Sequence, residues 1–180
     1  AILTPTIDGE TTAEEWQDAA LFKIGQPAPL KEFYYGVDEE NLYLRFDLPL
    51  PFISGHEIEL YLRSEDFPRS TIAPLQGDHR LVSGSNLAFL LKESAGSSPQ
   101  LQLAKYLESA WVLEDEKLGS WAVSDGKSVE ISLPLSALGK PEPGAILPLQ
   151  LLLKQDFRSI MPANTSFELR FMHFGPVSSI

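Results

Sequence analysis

Apolar and polar positions alternate with a period of two along much of the chain, the mark of strands that turn one face to a core. Leu42, Leu44, Phe46 and Leu48 interleave with Tyr43, Arg45 and Asp47. Ile58, Leu60 and Leu62 interleave with Glu57, Glu59, Tyr61 and Arg63. Val129, Ile131 and Leu133 alternate with Glu130 and Ser132, and Phe167, Leu169 and Phe171 with Glu168, Arg170 and Met172. Each run predicts a strand with a buried face and a solvated one, as in antiparallel sheets. Leu147 to Lys154 is more uniformly apolar, which predicts a central strand covered on both faces. Weaker strands are expected over Phe33–Val37, Asn86–Leu91, Leu101–Leu107 and Ser120–Val123.

Turn residues fall between these runs. Asp38-Glu39-Glu40-Asn41 predicts a short hairpin loop, and Ser124-Asp125-Gly126-Lys127 holds the Asp-Gly pair favoured in type I′ turns. Gly25–Pro29 and Lys140-Pro141-Glu142-Pro143-Gly144 read as connectors, and Pro68–Ser85 and Glu93–Gln100 as longer surface loops. Helix is scarce. Thr12-Ala13-Glu14-Glu15 fits a capping box, after which Trp16, Ala19 and Ala20 share one helical face. That spacing makes Trp16 a core plug. Pro134-Leu135-Ser136-Ala137-Leu138-Gly139 predicts a single turn closed by a glycine just past its end. About ten short strands with few helices predict an all-β fold. The expected architecture is a two-sheet antiparallel β-sandwich, jelly-roll-like, with one or two short helices, forming one domain over residues 1–180.

Composition narrows the partners. With 14 Lys and Arg against 25 Asp and Glu, the net charge is −11. Nucleic acid and anionic membrane surfaces are therefore disfavoured, since phosphate contacts need clustered basic side chains. The 180 residues include no cysteine, which removes disulfides, thiolate catalysis, zinc–cysteine sites and iron–sulfur clusters together. No apolar stretch reaches the ~18 residues of a membrane span. The first residues, Ala-Ile-Leu-Thr-Pro-Thr-Ile, are those expected of a piece of a longer protein.

Several segments then point the same way. Thr6-Ile7-Asp8-Gly9, followed by Glu14-Glu15-Trp16-Gln17-Asp18-Ala19, resembles the opening of the family 9 carbohydrate-binding modules and their DOMON-like relatives. The resemblance continues through Tyr34-Tyr35-Gly36-Val37-Asp38-Glu39-Glu40-Asn41-Leu42-Tyr43-Leu44-Arg45-Phe46-Asp47. Val129-Glu130-Ile131-Ser132-Leu133-Pro134-Leu135-Ser136-Ala137-Leu138-Gly139 resembles that family's strand ending in a proline-marked turn. As an ensemble these motifs are similar to the non-catalytic C-terminal region of family 57 glycoside hydrolases and to the C-terminal domain of glucodextranase. The resemblance implies a two-sheet sandwich, an accessory role beside a carbohydrate-active enzyme, and calcium in the scaffold.

Candidate chemistry follows from that. Sugar rings expose an apolar face of C–H groups that a flat aromatic ring can cover. Trp111 and Trp121 flank Glu114-Asp115-Glu116, and Glu114 with Lys117 offers the acceptors and donors that hydroxyl groups need. The plainer reading makes both indoles partly buried sandwich residues. For calcium, which takes six to eight oxygens, Asp8 and Asp38 are the expected carboxylates, Asp38 with Glu39, Glu40 and Asn41 beside it. Asp-Gly and Asp-Glu-Glu-Asn are equally ordinary turn chemistry. Among 25 acidic residues some pair always satisfies a glycosidase spacing, so no catalytic pair is assigned. Neither a Gly-x-Ser-x-Gly elbow nor His-Glu-x-x-His occurs. His56, His79 and His173 sit in unrelated contexts. Some relatives of this superfamily hold haem; here Met161, Met172 and His173 are the available ligands. Met172 and His173, being adjacent on a strand, point to opposite faces.

The expectation is a non-catalytic accessory module whose partner is a carbohydrate, an α-glucan or an oligosaccharide end. The alternatives are a docking domain packed on a linked catalytic domain and a haem-binding electron-transfer domain.

Overall fold

In the computed structural model the described residues are 3–10, 12–23, 32–48, 56–63, 70–72, 80–92, 100–107, 110–114, 119–124, 127–139, 141–142, 144–155, 158–159 and 166–170. They form fourteen strands: β1 (Ala20–Lys23), β2 (Glu32–Val37), β3 (Asn41–Asp47), β4 (His56–Leu62), β5 (Ser70–Ile72), β6 (Arg80–Ser85) and β7 (Leu87–Lys92). These are followed by β8 (Gln100–Leu107), β9 (Ala110–Glu114), β10 (Ser120–Ser124), β11 (Ser128–Pro134), β12 (Ile146–Gln155), β13 (Arg158–Ser159) and β14 (Ser166–Arg170). The only helix among the described residues is a 3₁₀ turn at Leu135–Leu138. It ends at Gly139, whose φ of 78° is left-handed and whose N–H bonds the Leu135 carbonyl, as the sequence predicts.

Two antiparallel sheets pack as a sandwich. The first has the order β1-β2-β3-β11-β10, and the second β13-β12-β4-β7-β8-β9, with β14 also paired to β12. β5 and β6 pair separately as a small ribbon. Alternation decides the inner faces. Phe33, Leu42, Leu44, Phe46, Val129, Ile131 and Leu133 come from the first sheet, and Ile58, Leu60, Leu62, Phe89, Leu91, Leu103, Leu149 and Leu151 from the second; all join one core. Phe33 lies opposite Phe46 in the register, and their rings stack at 5.0 Å. Each such side chain contributes about 1.5–3 kcal/mol of burial. β12 runs inside its sheet, between β4 and β14, and Leu149, Gln150 and Leu151 are all buried, so that strand is covered on both faces.

Three expectations are corrected. The Thr12–Ala20 stretch is a run of turns rather than a helix. Thr12 Oγ1 accepts the Glu15 N–H, but the Ala19 N–H then bonds the Trp16 carbonyl, an i to i+3 closure. A segment this short is marginal as a helix, and Trp16 is drawn instead onto the first sheet, buried with Leu3 and Tyr43. Secondly, Pro68–Ser85 contains β5 and β6, a pairing with a shifted register that leaves no clean alternation to read. Thirdly, the outward faces are not solvated throughout. Glu59 and Tyr61 on the second sheet, and Tyr43, Glu130 and Ser132 on the first, are buried. On the first sheet the cover is the N-terminal segment, anchored by the Leu3 N–H on the Val37 carbonyl and by the Trp16 indole.

Candidate functional site

Among the described residues an aromatic group lies at the β9 end of the second sheet. β9 pairs antiparallel with β8, placing Trp111 opposite Tyr106 and Leu113 opposite Ala104. Since Ala104, Ala88 and Tyr61 form a row across β8, β7 and β4, Trp111 and Leu113 belong to the same outer face. The half-buried Trp111 ring meets Tyr106 edge-on at 5.5 Å and Tyr61 at 6.2 Å. Such edge contacts fix the plane of an indole as well as its position.

A separate cleft of about 140 Å³ shares Tyr106 with this group. Asn86, Leu87, Lys105, Tyr106 and Leu107 supply one wall, and Ser136, Ala137 and Gly139 of the 3₁₀ turn the other. It therefore opens between the end of β8 and the turn that follows β11. Lys105 and the exposed Ser136 bring polar side chains to it, whereas Asn86 is itself only 1% exposed. The Asn86 backbone is tied down on both sides: its N–H donates to the Leu62 carbonyl, and its carbonyl accepts the Tyr106 N–H.

The sequence-predicted site residues are dispersed. Trp111 is on the outer face of the second sheet. Trp121, only 8% exposed, lies in the first sheet opposite Ile131 and belongs to the main core. Glu114 is on β9 but three positions from Trp111, so it turns to the other face, where it pairs with Lys105 at 3.7 Å. Lys117 lies outside the described residues, as do His79, Met161, Met172, His173 and the Asp125-Gly126 turn. Asn86, Lys105, Tyr106 and Ser136, which line the cleft, carry no motif. Tyr106 becomes visible only once β9 is recognised as a strand and its register with β8 is known.

Asp8 and Asp38 are turn residues. Asp8 Oδ1 accepts the Glu10 N–H at 2.8 Å. Asp38 Oδ1 accepts the N–H groups of Glu40 and Asn41, and its Oδ2 accepts the Tyr43 hydroxyl at 2.7 Å. Burial alone would push the Asp38 carboxyl up, but these three donors outweigh it and hold the group below its ordinary range. Among the described residues there is no group of three or more His, Cys, Asp or Glu that could hold a metal ion. Both Asp38 oxygens are engaged by donors of its own hairpin.

The outer face of the first sheet carries a second polar array. The Arg45 guanidinium grips Asp47 through two bonds of 2.8 Å and lies 4.6 Å above the Tyr34 ring. Ser128 donates to Asp47, and the Tyr34 hydroxyl donates to Glu32. Burial, followed by the hydrogen bond to Glu32, pushes the Tyr34 phenol up to about 12. Burial and the Asp38 bond do the same for Tyr43, also to about 12. Tyr61 is raised too, by burial and by the charge of Glu59, whose carboxylate accepts its hydroxyl at 2.5 Å. These groups satisfy one another, as structural networks do.

No family model, curated protein or solved structure matches this chain. What stands is the architecture, an all-β sandwich of two antiparallel sheets.

Proposed function

We propose that this chain is a non-catalytic accessory module of the carbohydrate-binding type, resembling the family 9 modules attached to glycoside hydrolases, and that it engages an α-glucan or oligosaccharide through Trp111. The observation that carries this reading is the half-buried indole held edge-on between Tyr106 and Tyr61 on the outer face of the second sheet. An oriented aromatic covers the C–H face of a sugar ring. Several carboxylates among the described residues are occupied internally: Asp47 by Arg45, Glu59 by Tyr61, Glu130 by Trp16 and Asp38 by its own turn. That favours recognition over acid–base work. Titration calorimetry with maltooligosaccharides, on the parent and on Trp111→Ala, tests the proposal.

A second reading is favoured by one observation. Leu113 is 50% exposed on the Trp111 face of this edge, and Leu107 and Val112 are 37% and 44% exposed on its other face. Clustered apolar exposure of this kind suits a docking domain that packs against a linked catalytic domain. Such a domain gives no heat with any sugar.

A further inference from the structure

We infer that the cleft beside the 3₁₀ turn binds a small organic monocarboxylate, its hydrocarbon part against Leu87 and Leu107 and its carboxylate on Lys105. The inference is independent of sugar binding, because the cleft and Trp111 belong to opposite faces of the second sheet. Lys105 lies opposite Leu87 in the register, and Leu87 is part of the main core, so Lys105 stands on the inner face. Leu107 follows two positions later and Val112 lies opposite Lys105, which puts both on that face. Leu87 is buried there, whereas Leu107 and Val112 are exposed, so the inner face opens to solvent towards β9. The Leu135–Leu138 turn stands over this opening and contributes Ser136 and Ala137 to the second wall.

Size and charge select the ligand. An apolar cavity of roughly 150 Å³ takes up one six-carbon ring, and this cleft measures about 140 Å³. Leu87, Leu107 and Ala137 give the hydrocarbon apolar contact. Among the lining residues Lys105 is the charged one, a cation in a chain of net charge −11. Its ammonium meets Glu114 at 3.7 Å, and the two side chains are 37% and 30% exposed. A pair this long and this open contributes little, so a ligand carboxylate can take over the ammonium at small cost. Ser136, exposed on the opposite wall, adds a hydroxyl donor. A neutral compound of the same size would leave the ammonium unused. The net charge of the chain opposes any anion at long range, and salt screens that repulsion.

Hexanoate is the probe, titrated into the isotope-labelled chain at roughly 0.15 M sodium chloride and followed by amide chemical shifts. Saturable shifts are expected at Leu87, Lys105, Ala137 and Gly139 at millimolar hexanoate. Hexanol, of the same length without the charge, should bind at least about fivefold more weakly. Lys105→Met keeps the apolar stem and removes the ammonium, so it should weaken hexanoate at least about fivefold and leave hexanol unchanged. Glu114→Gln frees the ammonium and should tighten hexanoate about twofold, a change of opposite sign that a merely structural pair would not produce. Ser136→Phe, at an exposed position, fills the cleft and should abolish the shifts while the far-ultraviolet circular dichroism stays unchanged. Trp111→Ala should bind hexanoate like the parent, which separates this site from the sugar reading. An absence of saturable shifts at the cleft, hexanol binding as tightly as hexanoate, or hexanoate binding untouched by Lys105→Met or Ser136→Phe overturns the inference.

Discussion

Trp16 donates its indole N–H to the Glu130 carboxylate at 2.9 Å, and both residues are buried on the outer side of the first sheet. The bond spans 114 positions of sequence. It fastens the N-terminal turns to β11, with the Tyr34 ring edge-on at 6.4 Å. Removing one partner of a buried hydrogen bond costs about 1–3 kcal/mol. Trp16→Phe keeps most of the ring and removes the donor, so it should cost about 2 kcal/mol. In a chain of this length that lowers Tm by roughly 4–8 °C. Differential scanning calorimetry measures it, and a shift below 1 °C would show that the indole N–H contributes nothing.

The tyrosines predict an alkaline limit. Phenols have ordinary values near 10, and Tyr34 and Tyr43 are raised to about 12. The folded chain therefore keeps protons that the unfolded chain releases between these values. The associated stability is fully present below pH 10 and is lost as pH rises through 12. Absorbance at 295 nm should show some of the five tyrosines ionising only as the fold is lost, in step with circular dichroism. Complete ionisation of all five near pH 10 with the fold intact would refute this.

Gly119 has a φ of 84°, and a Cβ there would lie 2.1 Å from the Ser132 carbonyl oxygen, a backbone atom that cannot swing aside. Gly119→Ala should destabilise by more than about 1 kcal/mol, read as a fall in the urea midpoint. An unchanged midpoint would mean that β10 does not lie this close to β11.

The sheets were legible because period-two alternation is a property of single strands. Ile58, Leu60 and Leu62 announce a core face whatever they pack against. What covers the opposite face is a tertiary fact: nothing in Glu57-Ile58-Glu59-Leu60-Tyr61 says that Glu59 will be only 1% exposed. Trp16 was readable as a core residue, but the helix drawn around it was not formed, because the indole bonds a strand far along the chain. The candidate site was the least legible part. Trp111 and Trp121 are ten positions apart, yet β9 and β10 belong to different sheets, so closeness in sequence does not become a shared surface. Tyr106 and Asn86 enter only through strand register.

This separation predicts opposite phenotypes for the two indoles. Trp121→Ala opens the main core and should cost about 3–5 kcal/mol. Trp111→Ala, at a half-buried edge, should cost clearly less. Parallel urea titrations would expose an error if Trp111→Ala proved the more damaging.

Calorimetric titration of the parent chain and Trp111→Ala with maltooligosaccharides tests the central claim most directly. The expected result is measurable heat at millimolar sugar for the parent, and binding weakened at least about tenfold, or 1.4 kcal/mol, in a variant that remains folded. A parent that releases no heat, or a Trp111→Ala chain that binds as well as the parent, would contradict it.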